Sequence, residues 1–235
     1  MPDPAASSIL QHAQRVLDTE AAALAKLARH LPPDFQAATE AMLACKGRVI
    51  VSGVGKSGHI GRKIAATFAS TGTPSYFIHA TEASHGDLGM IGPQDLCLLI
   101  SNSGETAELK DMIAHTRRFS IPMAAISSNG GSTLSKAATF KLTLPDAPEA
   151  CPIGLAPTTS TTLALALGDA LAVALMQQRN FRTNGGQKIR PLHEPGAFHE
   201  GGDPAVPGKA AVHAHQDRRA HRSKRYRRRL NHHPR

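Results

Sequence analysis

Apolar positions recur along residues 1–46 with the spacing of α-helices. Between residues 5 and 30, aliphatic side chains return every three or four positions, which is the period of one helix face. Pro32-Pro33 ends this helix, and Asp34 is placed to cap a second helix that runs to about Cys45. We therefore predict an N-terminal helical segment that packs on the domain following it.

Residues 47–181 alternate short apolar runs with amphipathic ones. The short runs predict strands at 48–53, 75–79, 96–101, 123–127 and 140–144. Helical spacing predicts helices at 57–71, 106–118, 132–138 and 160–178. This alternation indicates an α/β fold with a parallel sheet covered on both faces, in which ligands bind at the carboxyl ends of the strands.

A glycine-rich turn follows the first predicted strand. Gly53 and Gly55 can take positive φ, and the following helix N-terminus offers free N–H groups to an anion beside the Lys56 cation. The turn fits the dinucleotide fingerprint only formally, and Ile50 stands where a Walker A loop needs glycine. We interpret it as a phosphate site rather than an ordinary turn with a solvated lysine. The residues expected at the ligand are Ser52, Gly53 and Ser57.

Hydroxyl side chains follow the third predicted strand. Ser101, Asn102, Ser103 and Thr106 lead into a helix, as expected of a second phosphate cradle. The alternative is an imperfect capping box between Ser103 and Thr106. A dinucleotide fold needs one such loop, so two on adjacent strands favour a compact sugar phosphate and make a dehydrogenase the least favoured interpretation.

Three titratable residues lie in or beside the remaining loops. His85, flanked by acids, can transfer protons, but without a second ligand it makes a poor metal site, and we predict no metal. Glu108 lies just inside the helix after the serine loop, where a carboxylate also simply stabilises the helix N-terminus. Glu149 lies in a proline-pinned turn, as a candidate base or a solvated turn residue.

The formal net charge of +9 is confined to residues 182–235. They hold 13 Lys/Arg and 4 Asp/Glu, whereas the rest of the chain holds 14 of each. With few large apolar residues and no period, this basic tail is expected to be disordered, and its run at 218–229 to bind nucleic acid at most non-specifically. We favour a frameshift product, which translation of the source DNA in the other two frames would test.

The composition makes nucleic-acid binding, disulfide bonds and membrane insertion less expected. Tryptophan is absent and aromatic residues make up 4% of the chain, so stacking platforms for nucleic acid are not expected. Cys45, Cys97 and Cys151 are widely spaced, as in reduced cytoplasmic proteins. No continuous apolar run reaches about 18 residues, and no signal-like N-terminus precedes the first helix, so no membrane association is expected.

Four motifs resemble the sugar isomerase (SIS) domain. They are GKSGHIGRK at 55–63, SHGDLG at 84–89, SNSGET at 101–106 and EACP at 149–152. With the segment 154–175, the resemblance covers about residues 10–181 and is closest to the arabinose-5-phosphate isomerases of the Kdo pathway, which makes a lipopolysaccharide precursor. It implies a three-layer αβα sandwich with a five-stranded parallel sheet, assembled as a homotetramer.

The resemblance also implies a reaction and residue roles. The reaction converts D-ribulose 5-phosphate to D-arabinose 5-phosphate through an enediol, with no cofactor. The family's phosphate grip falls on Ser101, Ser103 and Thr106. Its active-site lysine, two glutamates and histidine fall on Lys56, Glu108, Glu149 and His85. We expect one glutamate to remove the C–H proton, the other glutamate or His85 to shuttle hydroxyl protons, and Lys56 to neutralise the oxyanion.

The chain departs from the family after Phe181. By register, the histidine of the family's His-Pro-Gly-Gly segment falls near Arg190, and the CBS pair of longer members is absent. Loss of this histidine is a reason to expect impaired turnover. A SIS module that binds sugar phosphates without converting them is therefore the alternative, and a nucleic-acid-associated protein is a third.

Overall fold

The computed structural model describes residues 4–179, with side chains from residue 8 onward. The expectations for residues 182–235, disorder and a shifted reading frame, lie outside these residues. The helices are α1 Pro4–Arg29, α2 Phe35–Ala44, α3 Gly55–Ser70, α4 Ala80–Ser84, α5 Lys110–Arg118, α6 Thr133–Ala137 and α7 Thr159–Gln178. The strands are β1 Val49–Gly53, β2 Ser75–Phe77, β3 Leu96–Ile100, β4 Met123–Ser127 and β5 Phe140–Thr143.

The five strands form one parallel sheet in the order β2-β1-β3-β4-β5, which confirms the predicted fold class. Strands β1, β3 and β4 are buried along their whole length, and this is why they read as continuous apolar runs. The chain steps outward from β1 to β2 and then returns to the other side of β1. The carboxyl ends of β1 and β3, where Gly53 pairs with Ile100, therefore flank the crevice that binds ligands in such sheets.

Alternate strand residues fill two apolar layers, one on each face of the sheet. Val51, Leu98 and Ile126 pack with residues of α1, α2, α3 and α7. Ile50, Leu99 and Ala125 pack with residues of α4, α5 and α6 on the other face. This is the three-layer αβα sandwich that the resemblance implied.

Helix α7 is central to the first of these layers. It packs against α1, α2 and α3, and Gly168 lets α3 approach so closely that a Cβ there would lie 2.5 Å from the side chain of Ile64. With a mean hydropathy of 1.5, α7 is long and apolar enough to cross a membrane by length and composition alone. Half of that apolar window is buried inside the fold, so core packing accounts for its composition.

The N-terminal segment is tied to the sheet domain by polar contacts. Glu20 of α1 accepts a hydrogen bond from Thr162 Oγ1 (3.0 Å), and Lys26 donates to the carbonyl of Asp146 (2.8 Å). Asp34 occupies the N-cap position of α2 as predicted, but its side chain makes no capping hydrogen bond, because its carboxylate accepts the N–H of Lys141 in β5 (2.8 Å). The domain boundary at residue 47 stays a prediction.

Strand β2 and the helix predicted from residue 106 both differ from their predicted boundaries. Strand β2 ends at Phe77, because His79 caps α4 by accepting the N–H of Thr81 on Nδ1 (3.3 Å). The helix expected from residue 106 begins as a 3₁₀ turn at Ala107–Leu109 and becomes α-helical only at Lys110.

Candidate active site

The glycine turn between β1 and α3 brings three backbone segments together. Gly55 has φ +57°, in the left-handed region that favours glycine, and α3 begins there rather than near Ser57. Gly53 does not take a positive φ, contrary to the prediction. Its missing side chain serves close packing instead, since a Cβ would lie 3.0 Å from the carbonyl oxygen of Ile100 and 3.1 Å from that of Ser57. Lys56 follows as an exposed cation in the first turn of α3.

The serine loop after β3 is closed by its own hydroxyl groups. Ser101 Oγ lies 2.7 Å from Thr106 Oγ1 and accepts the N–H of Gly104 (3.0 Å). Ser103 Oγ accepts the N–H of Glu105 (3.2 Å), so Ser103 and Thr106 do not form the capping box considered as an alternative. Gly104 has φ +69°, and this backbone conformation allows the chain to turn sharply within the loop.

The loop after β4 and the first residue of α6 form hydrogen bonds with the serine loop. The Glu105 carboxylate accepts the N–H of Thr133 (2.8 Å), and Ser128 Oγ donates to Asn102 Oδ1 (2.5 Å). The hydrogen bonds from Thr133 lower the pKa of the Glu105 carboxyl below its ordinary value. Sequence reasoning missed Glu105 and Ser128, although the Ser/Asn/Gly-rich run at 127–132 was a visible signal.

Glu149 is held at the start of α7. Its Oε2 accepts hydrogen bonds from the N–H (2.7 Å) and Oγ1 (3.1 Å) of Thr158 and from the N–H of Ser160 (3.3 Å). Burial raises the pKa of this carboxyl, but hydrogen bonding from Ser160 and Thr158 outweighs burial and holds the pKa below its ordinary value. The lowered pKa keeps Glu149 ionised, and it also makes this carboxylate a weaker proton acceptor than a base whose pKa lies near neutral pH.

A cavity of about 40 Å³ lies between the first turns of α3 and α7, at the carboxyl ends of β3 and β4. The predicted residues Ser57 and Asn102 meet there, together with Ser160 and Thr161, which were not predicted. Its apolar walls are Ile60, Ile100, Ile126, Leu144, Pro157 and Ala164. The space is enough for about three waters or for a few ligand oxygens.

The predicted site residues differ in exposure. Ser52, Gly53 and Ser101 are buried; Ser57, Thr106 and Glu149 are half-buried; Lys56, His85, Asn102, Ser103 and Glu108 are exposed. Within residues 4–179, no hydrogen bond or ion pair joins Lys56, His85 or Glu108 to another of the four catalytic candidates. In the same range, no group of three or more His, Cys, Asp or Glu is arranged to hold a metal ion.

Known proteins are similar to this chain over the same region. The family model of the SIS domain matches residues 42–174. The chain is 56% identical to arabinose 5-phosphate isomerase KdsD of Yersinia pestis over 171 residues, which is 73% of this chain and 52% of the relative. It is 49% identical to arabinose 5-phosphate isomerase KpsF of Escherichia coli O6:H1 over 196 residues, covering 81% and 60%.

One solved structure is similar to this chain over nearly the whole length of the solved protein. It is a protein of E. coli CFT073 in complex with A5P, with a TM-score of 0.72 and 38% identity, covering 77% of this chain and 95% of that one. By contrast, the chain spans only about half the length of the first curated relatives it matches.

Proposed function

Because the chain belongs to the SIS domain family, we propose that it is an aldose–ketose isomerase that interconverts D-ribulose 5-phosphate and D-arabinose 5-phosphate. One observation carries the proposal: two hydroxyl- and glycine-rich loops, after β1 and β3, flank the crevice of a domain that is about half identical to arabinose 5-phosphate isomerases. The pathway would be Kdo and lipopolysaccharide precursor synthesis, and the location the cytoplasm.

The two loops suit the phosphate end of the substrate. The N-terminus of α3 and the N–H groups of the serine loop favour an anion, and Lys56 adds a full positive charge. Ser101, Ser103 and Thr106 are the hydroxyl groups proposed to contact the phosphate, with Asn102 beside them. Ser52, Gly53 and Ser57 would complete this subsite from the glycine turn.

The reaction moves protons without changing the composition of the sugar. A base removes a proton from C1 of the ketose and returns one to C2, while the hydroxyl proton on O1 leaves and O2 gains one. We assign the C–H step to a glutamate, Glu149 or Glu108, and the hydroxyl protons to His85 or the other glutamate. Lys56 would stabilise the enediolate oxygen. No redox cofactor enters this scheme.

We also propose that the chain assembles as a homotetramer. Ile9, Leu10 and Leu17 on α1 are exposed, and so are Ile153 (74%) and Leu155 (78%) in the loop before α7. We propose that assembly covers these two exposed apolar segments, since apolar surface of this kind is often an interaction site.

Conversion of D-ribulose 5-phosphate by the full chain tests the proposal. Glu149→Gln removes the proposed base at nearly constant shape and is expected to lower kcat at least 100-fold, since general base catalysis contributes about 10²–10⁴-fold. Glu40→Gln is the matched control, because Glu40 bonds only Gln36 on α2 among the described residues and is expected to leave turnover unchanged. A wild-type chain that binds neither pentose phosphate and turns over neither would refute the proposal.

A SIS module that binds sugar phosphates without converting them is the second candidate. It is favoured by the exposed positions of Lys56, His85 and Glu108 and by the partial coverage of the curated relatives. Saturable binding of D-arabinose 5-phosphate with no turnover would favour this module over the isomerase.

A further inference from the structure

Thr158 makes two contacts with the proposed base. Its N–H and its Oγ1 both reach Oε2 of Glu149, at 2.7 and 3.1 Å. The N–H of Ser160 reaches the same oxygen at 3.3 Å. All three donors therefore hold one oxygen of the carboxylate, and none of the hydrogen bonds from residues 4–179 reaches Oε1. The buried hydroxyl of Ser160 also lowers the pKa of this carboxyl, but its geometry falls short of a hydrogen bond.

The hydroxyl of Thr158 has partners on both sides. Its oxygen accepts the N–H of Ala150 (2.9 Å), the residue directly after Glu149. The same N–H also reaches Thr159 Oγ1 (3.1 Å), and the Thr158 hydroxyl donates in turn to Glu149 Oε2. The carboxylate is thus held both through its own oxygen and through the neighbouring backbone.

This arrangement treats the two carboxylate oxygens differently. The carboxylate cannot rotate to exchange its two oxygens without breaking the three hydrogen bonds from Thr158 and Ser160. The lone pairs of Oε1 carry no hydrogen bond from the described residues, so this oxygen is the one that can accept a proton from a ligand. A solvated turn residue, which was the alternative interpretation of Glu149, would not be anchored in this way.

We infer that Thr158 is a positioning residue: it anchors Oε2 of Glu149 so that Oε1 is the atom that takes the C–H proton. This inference rests on the proposed isomerase and assigns the C–H step to Glu149 rather than Glu108. It extends the site to a threonine outside the residues predicted from the sequence.

Three variants of the full chain separate positioning from simple structural support. Thr158→Val removes the hydroxyl at nearly constant volume, and Thr158→Ser retains it. Thr162→Val is the matched control, four residues further along in α7, because its hydroxyl bonds Glu20 of α1 and not Glu149. We expect Thr158→Val to lower kcat about 10-fold or more, since hydrogen bonds to charged groups contribute on that scale. KM for D-ribulose 5-phosphate should stay within about 2-fold, Thr158→Ser should restore most of kcat, and Thr162→Val should match wild type.

Each result decides the inference. An unchanged kcat in Thr158→Val, or equal losses in Thr158→Val and Thr162→Val, would overturn it while leaving the isomerase in place. Full turnover by Glu149→Gln would overturn it too, because Glu149 would not be the base. If wild type binds D-arabinose 5-phosphate without turnover, the proposed function and this inference fail together. Should Thr158→Val not fold, Thr158→Ala removes the same hydroxyl without a second branch beside the carboxylate.

Discussion

Replacing Gly104 by alanine is expected to destabilise the domain at the centre of its candidate site. A Cβ at this position would lie 2.0 Å from Ser132 Oγ and 2.5 Å from Ser132 Cβ, and Ser132 is buried. The residue also has φ +69°. A non-glycine residue in the left-handed region costs about 1–2 kcal/mol, and overpacking a core adds about 1–3 kcal/mol. The expected loss is therefore about 2–5 kcal/mol of unfolding free energy.

A matched substitution isolates the two contributions. Gly154 has nearly the same backbone conformation, at φ +65°, but a Cβ there would meet no atom within 4 Å. Gly154→Ala should therefore carry the backbone cost alone, about 1–2 kcal/mol. The difference between the two variants measures the collision with Ser132.

Urea unfolding of the full chain, followed by circular dichroism, measures both changes. With m near 2–3 kcal/mol/M, the midpoint of Gly104→Ala should fall by about 1–2 M, with m itself unchanged. Gly104→Ala should also weaken binding of D-arabinose 5-phosphate, because the serine loop is displaced. A Gly104→Ala protein as stable as Gly154→Ala would show that Ser132 moves aside freely, and that the β4 loop is not a rigid support.

Three further predictions concern charge and thiol chemistry. Hydrogen bonds from backbone N–H groups, that of Ala156 first, lower the pKa of Cys151, whereas burial raises the pKa of Cys97 to about 12. Iodoacetamide should therefore alkylate Cys151 first and Cys97 last, and a fast phase that survives in Cys151→Ser would contradict this. The pKa of Glu105 is lowered in the folded state, so its stabilising effect is complete above about pH 4.5 and is lost as the pH falls through the folded-state value. The stability difference between wild type and Glu105→Gln should shrink on acidification, and a constant difference would argue against the Thr133 contact. The ion pair of Lys63 with Asp169 is half-exposed, so Asp169→Asn should cost less than about 1 kcal/mol by thermal unfolding.

The sheet could be predicted from sequence because its signal is local. Val49–Gly53, Leu96–Ile100 and Met123–Ser127 are buried on both faces, and burial on both faces imposes an uninterrupted apolar run. The loops that carry the site follow from the strands, since parallel strands end at one edge. Ser57 and Asn102 line the same cavity at that edge.

What could not be predicted depends on contacts between distant residues. Asp34 has the right neighbours for a helix cap, but its carboxylate is bound by Lys141, which is 107 positions away. In the sequence, Glu105 is only one of several polar residues in a loop, and its role depends on the N–H of Thr133, which is 28 positions away. Thr158 is one of several adjacent hydroxyl residues, and only the return of the chain to Glu149 distinguishes it. Sequence patterns report the period and composition of a segment but not which distant group completes a hydrogen bond.

The packing of α7 on α1, α2 and α3 has a consequence for biosynthesis. Most of the sheet can leave the ribosome before α7, yet the layer containing Val51, Leu98 and Ile126 stays partly uncovered until Leu163, Leu167 and Leu171 have been synthesised. Part of this surface therefore stays uncovered from the synthesis of Val51 until that of Leu163, and it is aggregation-prone, as surfaces that chaperones recognise are. Because the first and last described helices are neighbours, a circular permutant that joins them and opens the chain at an exposed loop would shorten this interval.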